Sequence, residues 1–341
     1  MRPETPRAFV FRQIVALDLA WGADLKEARR ALEQKGYAMR SGILPESQQQ
    51  FIYPTKPAQY DRLISRGDLE ITLYDSGGIS IAWTLQPDRE ISLADAATVV
   101  RNLSGNTRFS DAATELAADI VTLLGPALQE INPRKITEDF TIVFAPVNPD
   151  DSVQDYVERN RSVLARLLST EDYELASETA DQMLSSDFSF STRDQILCAW
   201  QASVIIGALP EQGLRSRLSD AIGLLEYANF QILELDILED DLEDLSLRSE
   251  RVLETRKVSE AELRELAWTA NHLAALFEKV KGGLEIFDDE MLGLFYERIR
   301  KRFRFNNRLE TIESLKRRST WSLTGARAPI VMLSGIAWKR W

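Results

Sequence analysis

The chain has 341 residues, 44% of them apolar and 28% charged, a globular composition with room for two ordinary domains. Its formal net charge of −12 argues against general coating of nucleic acid by the bulk of the protein, and a single cysteine, Cys198, excludes an internal disulfide. One thiol, an N-terminal apolar run Phe9–Leu17 that Arg12 interrupts, and no stretch of ~18 apolar residues together predict a cytoplasmic protein without a secretory leader or an obvious membrane span.

Taken in chain order, residues 1–150 read as a small mixed α/β domain. Phe9–Leu17 predicts a strand, and Asp24–Gln34 a short amphipathic helix stopped at Gly36. Leu69–Tyr74 and Ile79–Leu85 flank Asp75-Ser76-Gly77-Gly78, a hairpin signal because glycine reaches positive φ without strain. Helices follow over Ser92–Leu103 and Asp111–Leu124, and Thr141–Val147 gives one more β-branched strand.

Past Asp151 the pattern turns helical. Ser152–Leu168, Glu171–Leu184 and Thr192–Leu209 are expected helices, the last one buried. Leu218, Leu225 and Ile232 are seven residues apart, as are Leu235 and Leu242, then Leu245 and Val252, and this predicts a long helix from about 213 to 257. Ser259 with Glu262 makes a capping-box start for a second helix to about Lys281, and a third runs from about Asp288 toward Arg318. The expected fold class is α+β: a small mixed α/β domain, a long antiparallel helical bundle or stalk over 151–320, and a basic, Trp-containing apolar tail over 321–341. Trp83, Trp200 and Trp268 each sit in an apolar pattern and read as core anchors, and Asn229 as a polar register-setter.

Charge is distributed unevenly. From Arg298 to Trp341 there are 12 Lys/Arg and two acids, a balance of +10, so residues 1–297 sum to −22 within the total of −12. Arg298, Arg300, Lys301, Arg302 and Arg304 alternate with Phe303 and Phe305; Lys316, Arg317, Arg318 and Trp321 follow, and the chain ends Trp338-Lys339-Arg340-Trp341. Cations flanked by indoles suit an anionic membrane surface or a partner protein, and less strongly the phosphates of a nucleic acid through the basic helix 298–318. The bland alternative pairs these cations with the acidic helix inside the bundle.

That acidic helix carries ten acids and two bases between Glu226 and Glu254. Asp236, Asp240 and Asp244 repeat every fourth residue, and Asp240-Asp241-Leu242-Glu243-Asp244 fits an Asp-Asp-x-x-Asp pattern able to hold Mg²⁺. A Mg-dependent enzyme or metal sensor using Asp236, Asp240, Asp241 and Asp244 is therefore the second reading. His272 is the sole histidine, which leaves zinc and di-iron sites without ligands, and glycine-rich phosphate loops are lacking.

Gln195–Ala202, Leu224–Leu235 and Phe295–Arg304 give the chain a resemblance to the sporulation and meiotic-nuclear-division family of uncharacterised proteins. The likeness covers about Thr137–Arg318 and implies a helical stalk ending in a C-terminal transmembrane tether. Here Ala328–Trp338 is roughly 16 Å long as helix against a ~30 Å hydrocarbon core, and it contains Pro329, so the chain departs from that family at the tether. The plan also resembles CorA-type magnesium transporters, whose two spans and Gly-Met-Asn motif are missing. The leading expectation is a non-catalytic, oligomeric scaffold or adaptor, cytoplasmic or peripheral to a membrane.

Overall fold

Strands form where apolar side chains alternate toward a covered face, and helices begin at side chains that can cap them. The computed structural model describes residues 9–40, 46–60, 62–131, 136–147, 151–185, 187–207, 212–255, 259–282 and 289–317. The chain opens with β1 (Val10–Asp18), β2 (Ala20–Ala23), α1 (Leu25–Gln34), β3 (Ala38–Arg40), β4 (Gln48–Tyr53), β5 (Gln59–Tyr60), β6 (Leu63–Tyr74) and β7 (Gly78–Pro87). Next come α2 (Leu93–Leu103), α3 (Thr107–Leu124), β8 (Leu128–Ile131), β9 (Thr137–Pro146), α4 (Val153–Arg159), α5 (Arg161–Ser169) and α6 (Ser177–Leu184). It closes with β10 (Asp187–Phe188), β11 (Asp194–Cys198), β12 (Ala202–Gly207), α7 (Gln212–Thr255), α8 (Glu260–Gly282) and α9 (Glu290–Arg302). A further helix, α10, spans 305–317.

The α+β class holds. Ten strands form one sheet in the order β10-β11-β12-β9-β1-β7-β6-β4-β3, with β5 paired to β6, while β2 and β8 make a separate ribbon. Neighbours are antiparallel except β12 and β9. Asp24 accepts from the Lys26 and Glu27 amides to start α1, and Ser92 with Asp95 closes a capping box on α2. The hairpin between β6 and β7 turns at Gly77, whose φ of 96° suits glycine.

Side-chain alternation divides the sheet into two faces. One carries Phe11, Val15, Leu17, Ile71, Leu73, Ile81 and Trp83, and it packs into a continuous core with Ala28, Val100, Phe109, Ile120 and Leu164 of the helices α1, α2, α3 and α5. The opposite face presents Arg12, Ile14, Thr72, Tyr74, Ser80 and Ile142, and it receives the first half of α7. Phe230 of α7 stacks on Tyr74 with ring centroids 3.8 Å apart, and Tyr227 stacks on Tyr296 of α9. Phe303, just beyond α9, meets Phe140 edge-on.

Two compact units result: residues 1–233 with 287–303, and residues 234–286 with 304–341. The expected division near residue 150 is not where they part, because β9 pairs on to β12 and the sheet continues through 207. In the helical unit, Leu235, Leu238, Leu242 and Leu245 of α7 are buried at three- and four-residue spacing, as are Leu273, Phe277 and Val280 of α8 and Ile312 and Leu315 of α10. The capping box Ser259–Glu262 opens α8 as expected, its amide of Glu262 donating to Ser259 Oγ at 3.2 Å.

Four expectations need correction. Within the expected helix Thr192–Leu209, residues 194–207 form the β11–β12 hairpin instead, and 208 and 209 lie outside the described residues. Its strands are buried along their length, so an uninterrupted apolar run carries no period, and the β-branched Val204-Ile205-Ile206 decides for strand. Ser152–Leu168 is two helices meeting at Asn160, and the third long helix breaks at Arg304, whose φ is 51°. Trp83 is a core anchor, whereas Trp200 at the hairpin tip and Trp268 on α8 are 39% and 44% exposed.

Gly78 makes the closest approach between sheet and helix: a Cβ there would lie 2.2 Å from Cε2 of Phe230. Since Tyr74 backs that ring, it has little room to yield. Gly78→Ala is expected to cost about 1–3 kcal/mol in urea unfolding, the range for overpacking a filled site. An unchanged midpoint would show that the helix does not seat there.

Candidate functional site

On the helix-covered face, strand register brings together five polar positions from five strands. Arg12 of β1 lies opposite Thr84 of β7, Gln50 of β4 opposite Thr72 of β6, and Arg40 of β3 opposite Gln50. With Glu70 and Gln48 they line a cavity of about 320 Å³, closed on the helix side by Ser219, Asp220, Ile222, Gly223 and Glu226 of α7. Gly223 is an unfavourable residue inside a helix by about 1 kcal/mol relative to alanine, and it leaves this wall without a side chain.

Charges are wired across the floor. Arg12 Nη1 donates to Glu70 Oε2 at 2.9 Å, and Nη2 to Glu226 Oε2 at 3.0 Å. Thr72 Oγ1 donates to Glu226 Oε1 at 3.1 Å, and Arg40 Nη1 to Glu70 Oε1 at 2.6 Å. Arg12 Nε is buried and has no hydrogen-bond partner. Asp220 stands at the same cavity, half-buried.

These surroundings separate the carboxylates. Burial works against ionisation of Glu70, but Arg12 and then Arg40 outweigh it, and its pKa falls below the ordinary 4.5. Burial dominates at Glu226, opposed by Arg12, which is shared with Glu70, and the Glu226 pKa rises. Asp220 is also raised, by burial and then by the charge of Asp289. Burial of Arg12 would weaken its proton affinity, yet Glu226 and Glu70 overcome this and raise its pKa.

The residues singled out from sequence lie elsewhere. Asp236 is bound by Arg308 of α10, whose Nη2 also reaches Glu239 at 3.5 Å, while Asp240 and Asp244 are exposed and Asp241 is half-buried. Among the described residues no group of three His, Cys, Asp or Glu is arranged to hold a metal ion. Arg300 is 5% exposed, which removes it from any contact surface. Arg302 turns inward to Met183 Sδ at 2.8 Å, Lys316 pairs with Glu278 at 3.0 Å, and Arg317 reaches Glu313 at 3.5 Å. Arg298, Lys301 and Arg304 are exposed; Arg318, Trp321, Trp338, Lys339, Arg340 and Trp341 lie outside the described residues. Asn229 is fully buried, its Nδ2 donating to the Glu138 carbonyl at 3.4 Å. Burial pushes the Cys198 thiol up to about 11, so it stays protonated at neutral pH.

Sequence reading passed over Arg12, Glu70 and Glu226. The available signal was a charge inside an otherwise apolar buried segment: Arg12 within Phe9–Leu17, and Glu226 between Leu224-Leu225 and Tyr227-Ala228.

Fold and cavity together define an α+β protein with a charged pocket between its sheet and a long helix. The chain belongs to the family described as "Uncharacterized protein MJ0711, N-terminal domain", whose model matches residues 10–209. It is 22% identical over 191 residues to the "Uncharacterized protein MJ0711" of Methanocaldococcus jannaschii, covering 54% of this chain and 56% of that one. The chain thus spans little more than half the length of this curated relative. No solved structure matches. Arg12, Arg40 and Glu70 fall within the matched family span, and Glu226 beyond it.

The opposed shifts give opposite pH signatures. Glu70, with its folded pKa lowered, stabilises above the ordinary 4.5 and loses that contribution as pH falls through the folded value. Glu226, with its folded pKa raised, contributes fully below 4.5 and loses it as pH climbs through the folded value. Urea unfolding from acid to neutral pH should therefore show Glu70→Gln flattening the acid-side loss, and Glu226→Gln flattening the decline on the neutral side. Identical pH profiles for both variants would contradict this wiring.

Proposed function

We propose that the protein is a non-catalytic scaffold or adaptor that assembles through its C-terminal helices. The observation that carries this reading is α7: one continuous helix, Gln212–Thr255, walls the cavity at Ser219–Glu226 and then supplies the spine of the helical unit. That unit leaves Leu247 55% and Trp268 44% exposed, large apolar groups for an assembly surface. Its internal pairs, Arg308 with Asp236 and Lys316 with Glu278, support the reading that part of the basic segment serves the bundle itself. The exposed Arg298, Lys301 and Arg304 remain the cations for an anionic partner or membrane surface. A helical stalk of this kind is also what the resemblance to the sporulation and meiotic-nuclear-division proteins implies. Among the described residues no helix is long and apolar enough to cross a membrane.

Light scattering on the intact chain should give a mass that is a multiple of 38.7 kDa, reduced by Leu247→Lys combined with Trp268→Lys at an unchanged melting temperature. An intact chain that runs as a monomer at all concentrations and ignores anionic vesicles would overturn the proposal. Within the bundle, Arg308→Ala is expected to cost about 1 kcal/mol, because the pair is partly solvated. No loss in urea unfolding would show that the pair is not formed.

A further inference from the structure

The cavity between sheet and helix has the size of a small-molecule site, at about 320 Å³ near the lower end of the usual range of ~300–1,000 Å³. Its walls are made by β1, β3, β4, β6, β7, β9 and α7, regular elements that hold their side chains in place. Arg12, Arg40, Glu70 and Glu226 pair among themselves, two cations against two carboxylates. Asp220 is the remaining charge of the lining and leaves the cavity one negative charge in excess.

From this arrangement we infer that the cavity binds a small organic cation, an amine or guanidine that also carries a hydrogen-bond acceptor. The cationic end sits at Asp220, and the acceptor takes an N–H of the half-buried Gln50 side-chain amide. An anion fits poorly, since it would have to displace Glu70 from Arg40 and lie beside Asp220 and Glu226. Thr84, Gln48 and Gln50 supply neutral polar contacts for the body of the ligand. Burial of Asp220 near Asp289 penalises its ionised form, and an ammonium or guanidinium would relieve that penalty.

Calorimetry with arginine amide, agmatine and putrescine, against inorganic phosphate and citrate, tests the inference. Arginine amide, which has both a cation and a carbonyl acceptor, is expected to bind tightest and to raise the melting temperature. Asp220→Asn should weaken it about 10- to 100-fold, the loss of a charge-assisted contact, while the variant keeps the wild-type fold by circular dichroism. Gly223→Leu, which fills the cavity from the helix side, should abolish binding, with its melting temperature showing that it folds. The inference fails if no cation binds, if phosphate or citrate binds better, or if both variants bind arginine amide as the wild type does. Because the assembly reading concerns Leu247 and Trp268, it survives such a failure, and a monomeric protein that binds arginine amide would leave the site intact.

Discussion

A buried guanidinium on a central strand is the constraint around which the sheet, the cavity and the long helix are arranged. Arg12 joins Glu70 on β6 to Glu226 on α7, with its own side chain 8% and that of Glu226 3% exposed. Removing such charges from water costs several kcal/mol per ion, so the network holds only while each partner is in place. Thr72 completes Glu226, and Arg40 completes Glu70 at the rim. The pairing also selects a register: with Glu226 over Arg12, Phe230 one turn later falls on Tyr74, above the missing side chain of Gly78. A slip of one residue along α7 would bury Glu226 in apolar surroundings and lose both contacts.

Local signals in the sequence reached as far as the elements whose chemistry is local. The Asp75–Gly78 hairpin, the capping box at Ser259 and the long helix from about residue 213 were legible because turns, caps and periodic apolar faces are written in neighbouring residues. The β11–β12 hairpin was not, because strands covered on both sides lose the alternation that identifies them. The cavity was invisible for a different reason. Arg12, Glu70 and Glu226 are far apart in sequence, and only the sheet order β1-β7-β6 together with the docking of α7 brings them together. Conspicuous charge misled in the other direction: the acidic repeat from Asp236 and the cations near Arg308 and Lys316 serve in part as each other's partners or as partners of α8.

The same helix that closes the cavity continues into the helical unit, so one secondary-structure element serves both the proposed ligand site and the proposed assembly surface. Its composition changes along the way. Residues 224–233 are buried on every side, with Glu226, Asn229 and Gln231 as the polar members, whereas beyond Glu239 the helix alternates buried leucines with exposed acids. This is the pattern of a helix that is a core element at one end and a bundle member at the other. The family match over residues 10–209 covers the sheet that supplies most of the cavity, while α7 and the helices after it lie beyond.

The central claim, that Arg12 and Glu226 act as one buried unit holding α7 on the sheet, is tested most directly by a double-mutant cycle in urea with Arg12→Met, Glu226→Met and the double variant. The account predicts that the double variant loses less stability than the two single losses added, by a coupling of about 1–3 kcal/mol. Additive losses would mean that the two side chains do not depend on each other, and would contradict the account.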